Sequence, residues 1–465
     1  MAYSPIVNVA ISINATPLTQ VGFGTPMFIC AHRQTSDRVI EVSNATELTS
    51  APYNFPADHP AVLAAGQAFK QTPRVPTVKI GRRDMKAIVT PDNPADDATT
   101  VFRTTITVEG TSYPIESSVT DVSGNKTQED VVDGFITAIG NISELTSVIT
   151  AIKTGSSESA KLEISSTKKG DESSYFEVTF NEGFDNIDSV VYSEANVETP
   201  AETLEAITLI DVDWYFVAID ERSNDSYVED MATQLGVFKP AHLFFYASAD
   251  ISNLLPYQAG NSDLFAKLKD GNEDRTVTFF HQDADEYVEM AYIGANAAYD
   301  AGSVTWANVQ ITGVGFSQDP SRNRPLTTSQ KSNLMNKSAN YIELDAGVPF
   351  TRTGSTAGGE WIDVIRGVDW QTADLGTSLR AVLLNQKGGK IPYTDQGTAI
   401  IREVISSSLQ RGVNRQFLSE YEVHVPLVRD ISQNDRLSRI LTGVTFKGFL
   451  AGAIHEVTLN GEVTV

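Results

Sequence analysis

The sequence is poor in the residues that carry covalent and metal chemistry. One cysteine, Cys30, stands among 465 residues. That excludes an internal disulfide framework and any zinc site built on thiolates, and it fits a chain made and kept in a reducing cytoplasm. With Ile29 and Ala31 beside it, Cys30 reads as packed rather than reactive. The six histidines, His32, His59, His242, His281, His424 and His455, are scattered, and none forms the His-Glu-x-x-His pair of a zinc peptidase. No Gly-x-Ser-x-Gly elbow is present, which argues against an α/β-hydrolase nucleophile. A phosphate loop is missing too. Gly388-Gly389-Lys390 lacks the earlier glycine and is followed by Ile391, so it reads as a hairpin turn. Gly22-Phe23-Gly24 and Gly313-Val314-Gly315 begin a dinucleotide fingerprint, but Met27 and Gln318 stand where its third glycine belongs. No run of 18 apolar residues exists, so no membrane-crossing helix and no membrane insertion are expected. The first residues lack the basic and unbroken apolar regions of a secretory leader.

Acidic side chains outnumber basic ones, 59 to 35, for a formal charge of −24. This disfavours nucleic acid as a direct partner, because phosphate binding needs basic stripes. The excess is confined to the middle of the chain. Residues 1–85 hold 7 basic and 5 acidic groups, 86–200 hold 7 and 20, 201–345 hold 9 and 22, and 346–465 hold 12 and 12.

Both ends alternate with period two, the pattern of a strand with one apolar face. Val7, Val9, Ile11 and Ile13 share one side near the start. Val457, Leu459, Val463 and Val465 share one near the end, with Gly461 in the apolar register. Terminal strands need a sheet to hold them, either in their own subunit or at a neighbour's sheet edge.

Residues 86–200 are rich in Thr, Ser, Val and Ile, contain no Trp, His or Cys, and read as an acidic β-rich domain broken by one helix over 128–142. Residues 201–345 alternate between apolar runs and helical stripes. WYFVAID (214–220), LFFYAS (243–248) and TVTFFH (276–281) are strands; Ser226 with Glu229, and Asp283 with Glu286, have the spacing of helix capping boxes. Strands alternating with helices predict a parallel or mixed sheet flanked by helices. His281, Asp283, Asp285 and Glu286 form the densest set of possible metal ligands. Carboxylates at a helix start are more simply explained as caps. Farther on, a helix is predicted over 398–411, with Ile401, Val404, Ile405 and Leu409 as its stripe, and a strand over 423–431 broken by Pro426.

From Arg380 to Arg415 the chain turns basic: Arg380, Lys387, Lys390, Arg402, Arg411 and Arg415 face only Asp395 and Glu403. This is either a solvated helix face or a docking surface for an acidic protein.

The C-terminal third resembles a known family. Asn340-Tyr341, the 347–359 stretch, Glu360-Trp361-Ile362-Asp363, Asp369-Trp370, Ile391 to Gly397 and Leu450 to His455 occur in an order similar to that of the tail sheath proteins of contractile-tailed bacteriophages. The resemblance covers the first strand and roughly 200–465; the 86–200 block matches nothing specific, which suits an insertion. It implies a mixed α/β (α+β), multidomain chain: an N-terminal arm (1–20), the start of a core domain (21–85), an inserted outer domain (86–200), an α/β core (201–345), a tube-facing domain (346–455) and a C-terminal β-arm (456–465). It implies a structural protein rather than an enzyme, with no cofactor, assembled in the host cytoplasm into a virion. Hexameric rings of it would stack around an inner tube and contract, with terminal arms completing sheets in neighbouring subunits. The implied partners are further copies of the chain, the tail tube protein, and baseplate and tail terminator proteins. Arg402, Arg411, Arg415, Lys387 and Lys390 would face the tube. A non-contractile self-assembling shell or surface-layer protein is the alternative.

Overall fold

The computed structural model describes residues 22–95, 98–122, 124–167, 175–195, 197–384 and 389–457. It is a multidomain α+β chain that divides into two compact units. One comprises Phe23–Tyr299 with Trp306–Ile362; the other, as far as it is described, comprises Gly22, Asp300–Thr305 and residues 363–457.

The larger unit is built on a six-stranded sheet. In spatial order its strands are Thr276–Phe280, Leu243–Ser248, Phe216–Ile219, Pro26–Ala31, Val78–Arg83 and Val39–Val42. The first five are parallel and the last is antiparallel. Strands from the segments expected at 21–85 and 201–345 therefore share one sheet, with Phe28 paired to Ala218 on one side and Ile80 on the other. Every residue of Leu243–Ser248 and of Thr276–Phe280 is buried. Both faces are covered, which is why these strands read as continuous apolar runs rather than alternations. Met27, Ile29, Val217 and Phe244 pack under the helices Pro200–Ile210 and Asp225–Val237 through Leu204, Ile207, Val228 and Met231. On the other face Phe216 and Phe245 meet Trp306, and Phe245 also meets Tyr292, ring to ring. Cys30 is buried in this sheet, and burial pushes its thiol well up. A methyl on Gly81 would lie 2.6 Å from the end of the Ile207 side chain, which would have to shift to admit it.

Helix starts follow local chemistry, with two revisions. Thr199 and Glu202 form a capping box, with Pro200 at the first helical position. The cap expected at Ser226 is Asn224 instead, whose side chain accepts from the Tyr227 amide. The start expected at Asp283 is a separate short 3-10 turn, Ala284–Glu286, which Asp283 caps; Tyr287, at φ 50°, precedes the helix Val288–Ala297.

Lys86–Ser193 form an insertion with its own core. One antiparallel sheet holds Ile187–Ser193, Lys86–Pro91, Lys161–Ser166 and Ile149–Thr154; a second holds Thr111–Asp121, Ala98–Val108 and Phe176–Thr179. The helix Gln128–Gly140 buries Val131, Val132, Phe135 and Ile139 against them. All buried apolar residues of this cluster lie between Ala87 and Ile187.

Among its described residues the smaller unit contains two long helices, Ile362–Leu384 and Asp395–Asn414, and one antiparallel strand pair, Leu418–His424 with Thr445–Leu450. The second helix is the one predicted over 398–411, begun three residues earlier because Thr394 caps it. The first was not read from the sequence. The strand predicted over 423–431 stops at His424, before Pro426, and Val428–Asp430 is a 3-10 turn. Among the described residues, no helix is long and apolar enough to cross a membrane.

Candidate assembly surface

The smaller unit carries little apolar core. Ile405, Leu409, Phe417 and Leu418 form its buried cluster, with Leu375, Leu379, Ile401 and Val413 half-buried around them. Close backbone approach compensates. Phe417 packs where a methyl on Gly302 or Gly367 would collide, at 2.7 and 2.3 Å, and Gly302 also holds φ 75°. Polar contacts tie the two helices together: Gln371 donates to Ser408 at 2.9 Å, Ser408 donates to Asp374, and Arg411 reaches Asp374 at 2.5 Å.

Among the described residues its sheet has two strands, and two strands alone are marginal in water and leave sheet edges open. In Leu418–His424 only Leu418 is buried, and no residue of Thr445–Leu450 is. Phe446 and Leu450 are about half exposed. Beyond the last strand the Ala451 amide continues the pairing by donating to the Phe417 carbonyl at 3.0 Å, and Gly452 turns the chain at φ 70°. His455 Nε2 lies 2.7 Å from Thr305 Oγ1, while Ile454 and Val457 on either side are exposed. The chain thus runs over a cleft of about 400 Å³ lined by Ser303, Thr305, Asp363, Gln416, Leu418 and Ala453. Burial raises the Asp363 carboxyl, and His455 opposes the shift. A second cleft of about 400 Å³, mostly apolar, opens between Leu379, Leu383, Ile391, Tyr393, Ile401 and Leu441.

Of the predicted arm residues only Val457 falls among the described residues; it is exposed and outside any strand. Val7, Val9, Ile11, Ile13, Leu459, Val463 and Val465 lie outside them, as does Lys387. The other basic positions separate. Arg402 and Lys390 are exposed. Arg411 is spent on Asp374 and on Ser378, at 2.8 Å. Arg415 lies over the Trp370 ring at 4.1 Å and pairs with Asp300 at 3.3 Å. Asp374 and Thr305 were not singled out in the sequence, since their partners stand tens of residues away or more.

In the larger unit, a polar cleft of about 960 Å³ lies over strand ends and is lined by Arg222, Asp225, Asp250, Lys267, Asp283 and Asp285. Two of its carboxylates serve the backbone: Asp250 accepts from the Ser252 amide and Asp283 from the Asp285 amide. His281 Nδ1 is 2.8 Å from the Asp283 carbonyl, and His281 and Glu286 approach at 3.8 Å. No set of three or more His, Cys, Asp or Glu side chains is placed to hold a metal ion among the described residues.

No family model matches the sequence. No curated protein matches it either. Two solved structures are similar over nearly the whole chain. One is the sheath tail protein Lin1278 from Listeria innocua, at 10% identity and a TM-score of 0.45, covering 94% of this chain and 96% of that one. The other is a chain of the anti-feeding prophage baseplate in its contracted state, at 10% identity and a TM-score of 0.47, covering 100% of this chain and 99% of that one.

Proposed function

We propose that this chain is the structural subunit of a contractile tail sheath. Stacked rings of it surround an inner tube, and contraction drives the tube through the host envelope. The observation that carries this reading is the smaller unit as far as it is described: a sheet with two strands among the described residues and exposed apolar side chains, in a sequence that alternates apolar and polar residues over 7–13 and 457–465. Added strands would pair the open edges and cover Phe446 and Leu450. Because the donor and acceptor surfaces differ, each copy can give to one neighbour and take from another. Such heterologous contacts grow rings and helices rather than closed dimers. An arm of ten residues reaches about 33–36 Å, enough to cross to a neighbour. Contraction is then a change between two packings of largely rigid subunits. The exposed Arg402 and Lys390 are the groups assigned to an acidic tube, and the acidic insertion is assigned to the outside.

The test is negative-stain electron microscopy of the purified chain across a concentration series, alone and with its tube protein. Hollow tubes or stacked rings are expected, and deletion of residues 1–14, or truncation after Gly452, is expected to leave a folded monomer that forms neither. Truncated chains that assemble like the parent contradict the arm assignment. Tubes that form but never shorten would move the reading to a non-contractile shell.

A further inference from the structure

Parallel sheets of this kind offer a ligand crevice outside the carboxyl ends of their strands, at the point where the strand order reverses. Here the order reverses between Pro26–Ala31 and Phe216–Ile219. The groups that end these strands are tied to one another. The Ala31 amide donates to Asp220 at 2.8 Å, and Asp220 pairs with Arg83, from the end of Val78–Arg83, at 2.9 Å. Arg83 also meets Glu221 at 3.5 Å and lies over the Tyr227 ring at 4.4 Å.

The insertion departs and returns beside this knot. Arg82 and Asp84, at its entry, pair at 2.6 Å. Glu198, at its exit, binds the Arg38 guanidinium through both carboxylate oxygens and accepts from the Asp84 amide at 3.0 Å. Arg38 also donates to the Arg82 carbonyl at 2.6 Å. Arg38, Arg82, Asp84 and Glu198 are all buried. Next to them, Arg33 of the core faces three rings of the insertion, with Tyr192 at 4.1 Å, Tyr175 at 4.9 Å and Phe176 at 5.0 Å. The Tyr175 hydroxyl donates to the Arg33 carbonyl at 2.8 Å.

Domains joined by exposed, polar linkers move relative to one another by default. This junction has the opposite character. Arg38, Arg82, Asp84 and Glu198 are buried, so losing one partner leaves another charge buried. We propose that the crevice region of the α/β core serves as a clamp for the insertion, with Glu198 binding entry and exit together and Arg33 gripping the insertion's aromatic face. The insertion and the core then move as one body. The clamp stands independently of the sheath reading. If both hold, any reorientation of the core during contraction carries the acidic outer domain with it.

Distances between spin labels on the full-length chain test this. Labels at Lys161→Cys in the insertion and Glu205→Cys on the core helix report their separation; both sites are exposed, whereas Cys30 is buried. A single narrow distance distribution is expected for the parent, and a broad one there overturns the proposal without any further variant. Glu198→Gln removes the charge at nearly constant shape and is expected to widen the distribution by about twofold or more. A distribution as narrow as the parent's overturns the role of Glu198. Should Glu198→Gln not fold, Arg33→Gln, at a half-buried position, serves in its place. It is expected to give a smaller widening, and no widening overturns the grip on the aromatic face.

Discussion

The two units are made of the same residue types and end in opposite conditions. In the larger unit the strands Leu243–Ser248 and Thr276–Phe280 are buried on both faces, and Phe245 alone touches Phe216, Tyr292 and Trp306. In the smaller unit Phe446 and Leu450, both on the strand Thr445–Leu450, are about half exposed, and Leu383, Leu384, Leu437, Ile440 and Ile454 are exposed as well. Exposed apolar residues scattered singly are ordinary; Leu383 lines the apolar cleft and Phe446 and Leu450 lie on the strand pair, and on the proposed reading these are contact positions. Among the described residues one unit closes its core by itself, and the other leaves apolar residues of its strand pair exposed, which on the proposed reading a neighbouring copy covers.

That contrast can be broken most sharply in the two sheets. Phe245→Ala is expected to destabilise the larger unit by about 3–5 kcal/mol, the cost of emptying a packed aromatic site. Phe446→Ala is expected to change monomer stability by less than about 0.5 kcal/mol, as at other exposed positions, while impairing assembly. Denaturant unfolding beside sedimentation would compare them, and equal losses of stability would erase the distinction.

Acid should weaken the larger unit next. His242 is buried, stacked on Trp214 at 3.8 Å, and burial lowers its pKa to about 3. The unfolded chain therefore binds a proton that the folded one refuses. The stability this contributes is complete above the unfolded value near 6.5 and is lost as pH falls toward 3. The loss reaches about 2 kcal/mol by pH 5. His32, held down first by burial and then by neighbouring arginines, acts in the same direction. His242→Phe should remove its own share, read as a shallower fall of unfolding free energy between pH 6.5 and 5; an unchanged slope would rule the mechanism out.

Smaller effects sort the basic segment. Arg411→Ala should cost about 1 kcal/mol, because the partly exposed pair with Asp374 is modest and screened. Arg402→Glu with Lys390→Glu should leave the unfolding midpoint unchanged yet weaken tube binding at low salt. If instead Arg411→Ala alone abolished tube binding at unchanged stability, the division between structural and docking arginines would be reversed.

Much of the larger unit was legible in the sequence, because doubly covered strands announce themselves. LFFYAS is the strand Leu243–Ser248, residue for residue. The mixed α+β architecture and the foreign texture of the 86–200 block were legible for the same reason: apolar period and composition change where the fold does. The smaller unit was harder. Helix Ile362–Leu384 carries Gly367, Asp369, Asp374 and Gly376 among its apolar positions, residues that read locally as breaks. Its polar residues have specific work there, Asp374 holding Arg411 and Gly367 admitting Phe417, and such pairings across tens of residues leave no local trace. Ser226 lost its capping role to Asn224 because both can cap and only the incoming backbone decides.

Hydrogen exchange at the backbone amides of Leu418–His424 and Thr445–Leu450 tests the central claim most directly. Measured on the dilute full-length chain and again after assembly, the outward-facing amides of both strands should exchange quickly in the first and become strongly protected in the second. Protection already complete in the dilute monomer, or fast exchange that persists in assembled tubes, would contradict the account of a sheet that other copies complete.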